Sequence, residues 1–529
     1  MNFQKIPYEQ TNAFSSTVLD YLANKEELNP FFAYLPSAKQ IPHIINDIKH
    51  SNKLDRSKLV QALKEQYNNY VPSLQVVKNI DLLKEENTFT ITTAHQLNLF
   101  TGPLYYIFKI LNTIRVAQDL SAKFPEFNFV PCYWMGSEDH DFEEINHTYL
   151  FSKKLEWNNF QGGSIGEYTT NGILPLIDEL KAILRQGPFL DDLIAIFKRA
   201  YSHENLAKAV QILLDELFGN YGLIVVDGNC KILKQAFQPI IEEELKNKTS
   251  FNLVQEEISL LEQSGFKSQA SPREINLFYK TNHSRERIVE TADGFELVDS
   301  KQQFTLDEIL AQVRDFPERF SPNVILRPVH QQLILPNIAY IGGGSEVAYW
   351  MQLKTLHEHF DIHFPMLLLR TSAQIISSAQ QNKLSKLGIH SKDIFKDIET
   401  LKKEYIARQS HLDLNLESEK EALNTLFATI AQKATEVDAS LENWVGAEGK
   451  KALKSIENIS KRLIKSEKQK NDQSMVQIEK IIEQILPFGG LQERKENFSQ
   501  FYAAYGQEWF NELLTLLDPF DHQFTIIEV

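Results

Sequence analysis

What most restricts the fold of this chain is an alternation: β-rich runs ending in small or polar loops are followed by helix-periodic runs, repeatedly, as far as about Arg370. From Thr88 the sequence reads TFTITTAHQ, then the loop NLFTG, then PLYYIFKILNTIRVAQDL with apolar residues at helical spacing. Pro103 suits the first turn of that helix, where its missing N–H is an orphan anyway, and Thr101 or Gly102 can cap it. FNFVPCYWMGSE is another apolar run, so residues from about 88 to 137 form a βαβ unit. YGLIVVDGN with KILKQAFQPIIEEELKN repeats the pattern, and VILRPVHQQLILPNIAYI, the loop GGGSE, the helix-like VAYWMQLKTLHEHF and the strand PMLLLR continue it. Strands joined through helices run parallel, so an α/β core is predicted.

Residues 151–215 and 240–320 have mixed patterns and read as insertions into a discontinuous core spanning 1–377. No proline occurs between Pro365 and Pro487, while Lys and Glu become dense and apolar residues recur at three- and four-residue steps. Leu423, Leu426, Ile430, Val437, Leu441 and Trp444 fit one helical face, and Leu453, Ile456, Leu463 and Ile464 a second. An antiparallel coiled coil over 378–485 follows, with its turn near Gly446 to Gly449, although both glycines are tolerable inside a long helix. Residues 486–529, which include the strand-like FTIIEV, are expected to return to the core.

Composition narrows the partners. A net charge of −15 repels phosphate backbones and anionic lipid, which excludes nucleic acid and membrane surfaces as expected partners. Two cysteines, Cys132 and Cys230, are too few for a disulfide framework and form no metal-binding pair. The start lacks a basic region followed by an apolar run, and no stretch approaches the ~20 apolar residues that span a bilayer, so the chain reads as cytoplasmic.

Three loops carry candidate chemistry. TTAHQLNLFTGP places His95, Gln96 and Asn98 between a strand and a helix, where ligands of open parallel sheets sit; a polar loop that merely caps its helix is the bland alternative. GSEDHDFEEINH gathers Glu138, Asp139, Asp141, Glu143 and Glu144 around His140, a density that is costly unless it meets a cation, an amine or a transferable proton. An N-cap at Asp141 answered by Glu144 accounts for two of these and leaves Glu138, Asp139 and His140 unexplained. The spacing matches no zinc or calcium pattern, so no metal site is predicted. In AYIGGGSEVAYW, Gly342, Gly343 and Gly344 allow close backbone approach, Ser345 can cap the next helix, and Glu346 and Tyr349 occupy its first turn; a tight turn alone also uses glycine. The pattern is neither GxGxxG nor a Walker loop, and both cysteines resist a catalytic reading, Cys132 because it lies within an apolar strand.

Taken together, TAHQLNLFTGPLYYIFK, YWMGSEDHDFEEINH, LRPVHQQLILPNIAYIGGGSEVAYW and LQERKENF, in this order over nearly the whole chain, resemble the bacillithiol biosynthesis cysteine-adding enzymes. The resemblance implies a Rossmann-like, nucleotidyl-transferase-type parallel sheet with inserted connecting domains and a C-terminal α-helical coiled coil used in homodimerisation. It also implies the last step of bacillithiol synthesis, amide formation between L-cysteine and the amine of glucosamine-malate. ATP or another nucleotide, with magnesium, is the expected means of activating the cysteine carboxyl. On this view Glu138, Asp139 and Asp141 bind ammonium groups or magnesium, and Arg327 and Arg370, at or beside strand ends, each clamp a carboxylate. A non-catalytic nucleotide-binding scaffold and an adenylyl transferase acting on another acid stay open.

Overall fold

The strand-like runs of the first 370 residues come together as one five-stranded sheet. Its strands are β1 (Thr88–His95), β2 (Asn128–Met135), β3 (Ile224–Asp227), β4 (Asn337–Gly342) and β5 (Met366–Leu369). They lie in the order β5-β4-β1-β2-β3, every neighbouring pair parallel. Nearly every residue in them is buried, as expected where helices cover both faces of a parallel sheet. The register aligns His95 with Met135, Met135 with Asp227, and Gly342 with Leu369, so all five chains leave the sheet at one edge. From β1 the chain steps outward to β2 and β3, then returns to lay β4 on the other flank of β1. This reversal opens a crevice between β1 and β4, where ligands of such sheets bind.

The computed structural model describes residues 2–51, 55–409 and 414–529; residues 1 and 52–54 of the expected core and 410–413 of the expected coiled coil lie outside it. The described residues divide into two compact units, one within residues 3–374 and 490–525 and the other within residues 375–489 and 526–529 together with Asn2. Helix α1 (Leu104–Lys123) follows β1 and is buried on most of its surface, between the sheet and the helix Gln507–Leu516. Pro103 precedes this helix in extended conformation, and neither Thr101 nor Gly102 caps it. The Leu104 amide instead donates to the Glu496 carbonyl at 2.8 Å, while Asn497 donates to the carbonyls of Phe100 and Gly102, a distant segment doing what the local residues were expected to do.

Residues 151–215 hold three helices, the last continuing to Phe218, after a short hairpin. Helix α2 (Lys231–Asn247) leads into an antiparallel sheet of five short strands between Leu277 and Pro322, packed on a core of its own that includes Phe237, Leu277, Phe295 and Val329. Two local readings change. Arg327 lies in the first turn of helix α3 (Leu326–Ile334) rather than at a strand end, because the apolar VILRPVHQQLIL forms one helical face against that second core. VAYWMQLKTLHEHF is two helices, α4 (Gly344–Trp350) and a short one at Lys354–His359, with Met351–Leu353 between them.

In the second unit, α5 (Glu417–Val437) and α6 (Leu441–Lys470) form the antiparallel pair, followed by α7 (Asp472–Ile485). The turn is at Asp438–Ser440, where the Asp438 carboxylate accepts the Ser440 amide at 2.8 Å, and not at the glycines. Gly449 sits inside α6 because a Cβ there would come within 3.0 Å of the Phe427 ring, so the glycine lets the two helices close up. The strand-like FTIIEV does form a strand, Phe524–Glu528. Among the described residues no helix is long and apolar enough to cross a membrane.

Candidate active site

A cavity of about 950 Å³ opens at the carboxyl edge of the sheet, over the crevice between β1 and β4. Of the residues singled out from the sequence, His95, Gln96, Glu138, Asp139, Arg327, Gly343, Gly344, Ser345, Glu346, Tyr349 and Arg370 all line it. The three loops therefore converge. Asn98 is buried beside the cavity and donates to the Glu144 carbonyl, and Gly342 ends β4 beneath it. His140 and Asp141 do not line it: Asp141 caps the short helix Phe142–Ile145 by accepting the Glu144 amide at 3.3 Å, the bland alternative for that residue. Ser345 is exposed and caps nothing; the carboxylate of Glu346 accepts the Gly343 amide at 2.8 Å instead.

The electrostatics separate residues that the sequence groups together. Burial alone would raise the carboxyl of Glu138, but Lys234 at 2.7 Å and Lys280 at 4.0 Å hold it down at about 2. Its charge is thus already balanced, and burial brings Lys234 itself down to about 8. Glu346 is likewise held at about 2 against burial by Lys109 at 2.6 Å, with the Tyr340 hydroxyl donating to its other oxygen at 2.6 Å. Lys109 also reaches the Ala94 carbonyl, so one buried ammonium ties the end of β1 to the first turn of α4. Arg370 forms a two-pronged buried pair with Glu493, at 2.7 and 3.0 Å, and so is not free to clamp a substrate carboxylate as expected.

The remaining charges are less fully balanced. Gln96 donates at 2.6 Å to Asp139 and at 2.7 Å to Glu144, holding two carboxylates side by side. Asp139 stays below the usual carboxylate range despite burial because it accepts from Gln96, faces the Arg285 guanidinium at 3.9 Å and accepts the amides of His140 and Asp141. Arg327 donates to the Tyr349 hydroxyl and to the side-chain amide oxygen of Gln331, both at 3.0 Å. His95 lies between Tyr105 and Tyr106, and burial together with Lys109 pushes its imidazole down to about 4, so it is neutral near pH 7. Among the described residues no three His, Cys, Asp or Glu side chains are grouped to hold a metal ion. Cys132 is fully buried with its thiol pushed up by burial, which fits a core residue.

Sequence reading missed Lys109, Arg285, Glu493 and Arg494. Lys109 left a signal, a lone cation inside the apolar helical run LYYIFKIL; Arg285 lies in a stretch of mixed pattern and left none.

Comparison with known proteins agrees with this architecture. The profile described as "Bacillithiol biosynthesis BshC, N-terminal Rossmann-like domain" matches residues 1–371, and "Bacillithiol biosynthesis BshC, C-terminal coiled-coil domain" matches residues 373–529. A protein of Flavobacterium johnsoniae is 39% identical over 99% of both chains, and one of Flavobacterium psychrophilum is 40% identical over 99% of both. A third, of Christiangramia forsetii, is 39% identical over 99% of this chain and 98% of its own. Each bears the name "Putative cysteine ligase BshC". With profiles matched on both halves and relatives alike over nearly all of it, the chain belongs to the bacillithiol biosynthesis BshC family.

Proposed function

We propose that this chain is a carbon–nitrogen ligase that joins L-cysteine to glucosamine-malate, as the last step of bacillithiol synthesis. The names of its relatives support a cysteine ligase. The observation that carries the reading to this chain is that one cavity presents the carboxylates Asp139 and Glu144, bridged by Gln96, together with the guanidinium of Arg327. A substrate carrying one ammonium and two carboxylates matches that lining in sign.

A free carboxylate does not condense with an amine in neutral water, so the cysteine carboxyl needs activation, and ATP is the expected co-substrate. Transfer of a phosphoryl or adenylyl group to a carboxylate oxygen makes that oxygen a leaving group. The sugar amine, having lost one proton, attacks the carbonyl carbon. The C–O bond then breaks, and phosphate or AMP departs with the oxygen. Asp139 and Glu144 are the carboxylates suited to hold the ammonium, whose proton leaves to solvent before attack. Magnesium would accompany the nucleotide phosphates, which supply most of its ligands in such sites. We place this reaction in the cytoplasm and read the helical hairpin of the second unit as the contact of a homodimer.

Incubation with isotope-labelled cysteine, glucosamine-malate, ATP and magnesium tests the reading. Labelled amide should form, with one AMP or ADP for each product. Absence of amide under these conditions removes the ligase assignment.

A further inference from the structure

Burying a guanidinium is costly unless an anion balances it. Around this cavity Glu138, Glu346 and Arg370 each have an opposite charge in contact, as described above. Arg285 does not. It extends from the inserted antiparallel sheet, its side chain is only 7% exposed, and it lies over the Phe278 ring at 3.8 Å. Its three hydrogen-bond acceptors are all neutral: the Ser321 hydroxyl at 3.0 Å, the Pro322 carbonyl at 3.2 Å and Nδ1 of His140 at 2.7 Å. The carboxylate of Asp139 faces it only at 3.9 Å, a long ion pair without a hydrogen bond, and the oxygen on that side already accepts the amides of His140 and Asp141.

Arg327 is in a similar position, with a hydroxyl and an amide oxygen as its contacts and no ion pair among the described residues. Both arginines are anchored on one short stretch of chain. Arg285 holds Ser321 and Pro322, and the Arg327 amide donates to the Asn323 carbonyl at 2.9 Å. Pro322, Asn323 and both guanidiniums line the same cavity. Each guanidinium has N–H groups beyond those already used, five in all against two or three contacts.

We propose that Arg285 and Arg327 form a two-point subsite for a dianion: the two carboxylates of a dicarboxylic acid, as in the malyl group of the proposed substrate, or the phosphates of a nucleotide. The naming of those two ligands rests on the function proposed above; the subsite rests on the geometry. Recognition of the doubly charged ligand then belongs to the inserted sheet, through Arg285, as much as to the parallel core.

Titration calorimetry on the full chain tests this without turnover, using L-malate and, separately, ATP with magnesium. Affinity for one of the two should fall about ten- to a hundredfold in both R285Q and R327Q, the loss expected for one charge-assisted hydrogen-bond contact. The ligand that loses affinity identifies the dianion. R285K keeps the charge without the planar fork and should fall between; if R285Q does not fold, R285K and R327Q carry the test. Unchanged affinity for both ligands in these folded variants overturns the subsite. Because no amide needs to form, a failed ligase assay leaves this result standing, and unchanged binding leaves the ligase assay unaffected.

Discussion

At the scale of single residues, the cavity is governed by which charges are balanced from behind. Glu138 and Asp139 are neighbours in the sequence, yet one faces two buried lysines and the other a glutamine amide and backbone N–H groups. No local pattern distinguishes them, because Lys234 and Lys280 arrive from α2 and the inserted sheet. Buried imidazoles give a direct test of the surroundings. Loss of hydration brings His95, His357 and His363 down to about 4, and His357 is stacked on Trp350 with its Nδ1 2.8 Å from the Leu353 carbonyl. In the unfolded chain each titrates near ~6.5. Unfolding therefore takes up protons between these values: the stability they contribute is complete above about pH 6.5 and is lost as pH falls towards 4. The thermal midpoint should drop steeply across that window, and the slope should be shallower in H357F. The same slope in H357F would falsify this origin for the acid sensitivity.

At the scale of elements, the sites lie where strands end, and the register of the parallel sheet puts those ends on one edge. Within the acidic loop, substitution separates the Asp141 cap from the role proposed for Asp139. Asn caps a helix about as well as Asp, so D141N should stay near the parent in stability and turnover, whereas D141A should lose about 0.5 to 2 kcal/mol in denaturant titration. D139N, by contrast, should slow turnover roughly ten- to a hundredfold with little change in melting temperature, the loss of one charged contact made in the transition state. Parent-like turnover in D139N would return that carboxylate to a purely structural part. The glycines of α6 make the converse point. They resembled a turn, but Gly449 was needed for helix-to-helix contact, a demand that comes from the partner helix and is invisible in its own segment.

At the scale of the whole molecule, the helical pair of the second unit leaves apolar side chains in water: Leu426, Trp444 and Ile459 are each more than half exposed, and Ile430 and Leu463 are close behind. Such a stripe is stable in solution when another copy covers it. Sedimentation at micromolar concentration should show a dimer, and W444E with L463E should shift it to a monomer with unchanged helix content by circular dichroism. A monomer for the parent chain would end the proposal. The alternation of apolar periods by itself determined the parallel α/β core, the proline-free helical hairpin and the three loops at strand ends, because period and chain connection are local properties. Only the tertiary structure decided that Asp141 caps while Asp139 faces the cavity, that Arg370 is bound to Glu493, and that Arg285 reaches the site from an inserted sheet. The cap at Asp141 is local, but the partners of Asp139, Arg370 and Arg285 come from tens to hundreds of residues away, and compensation across space has no period along the chain.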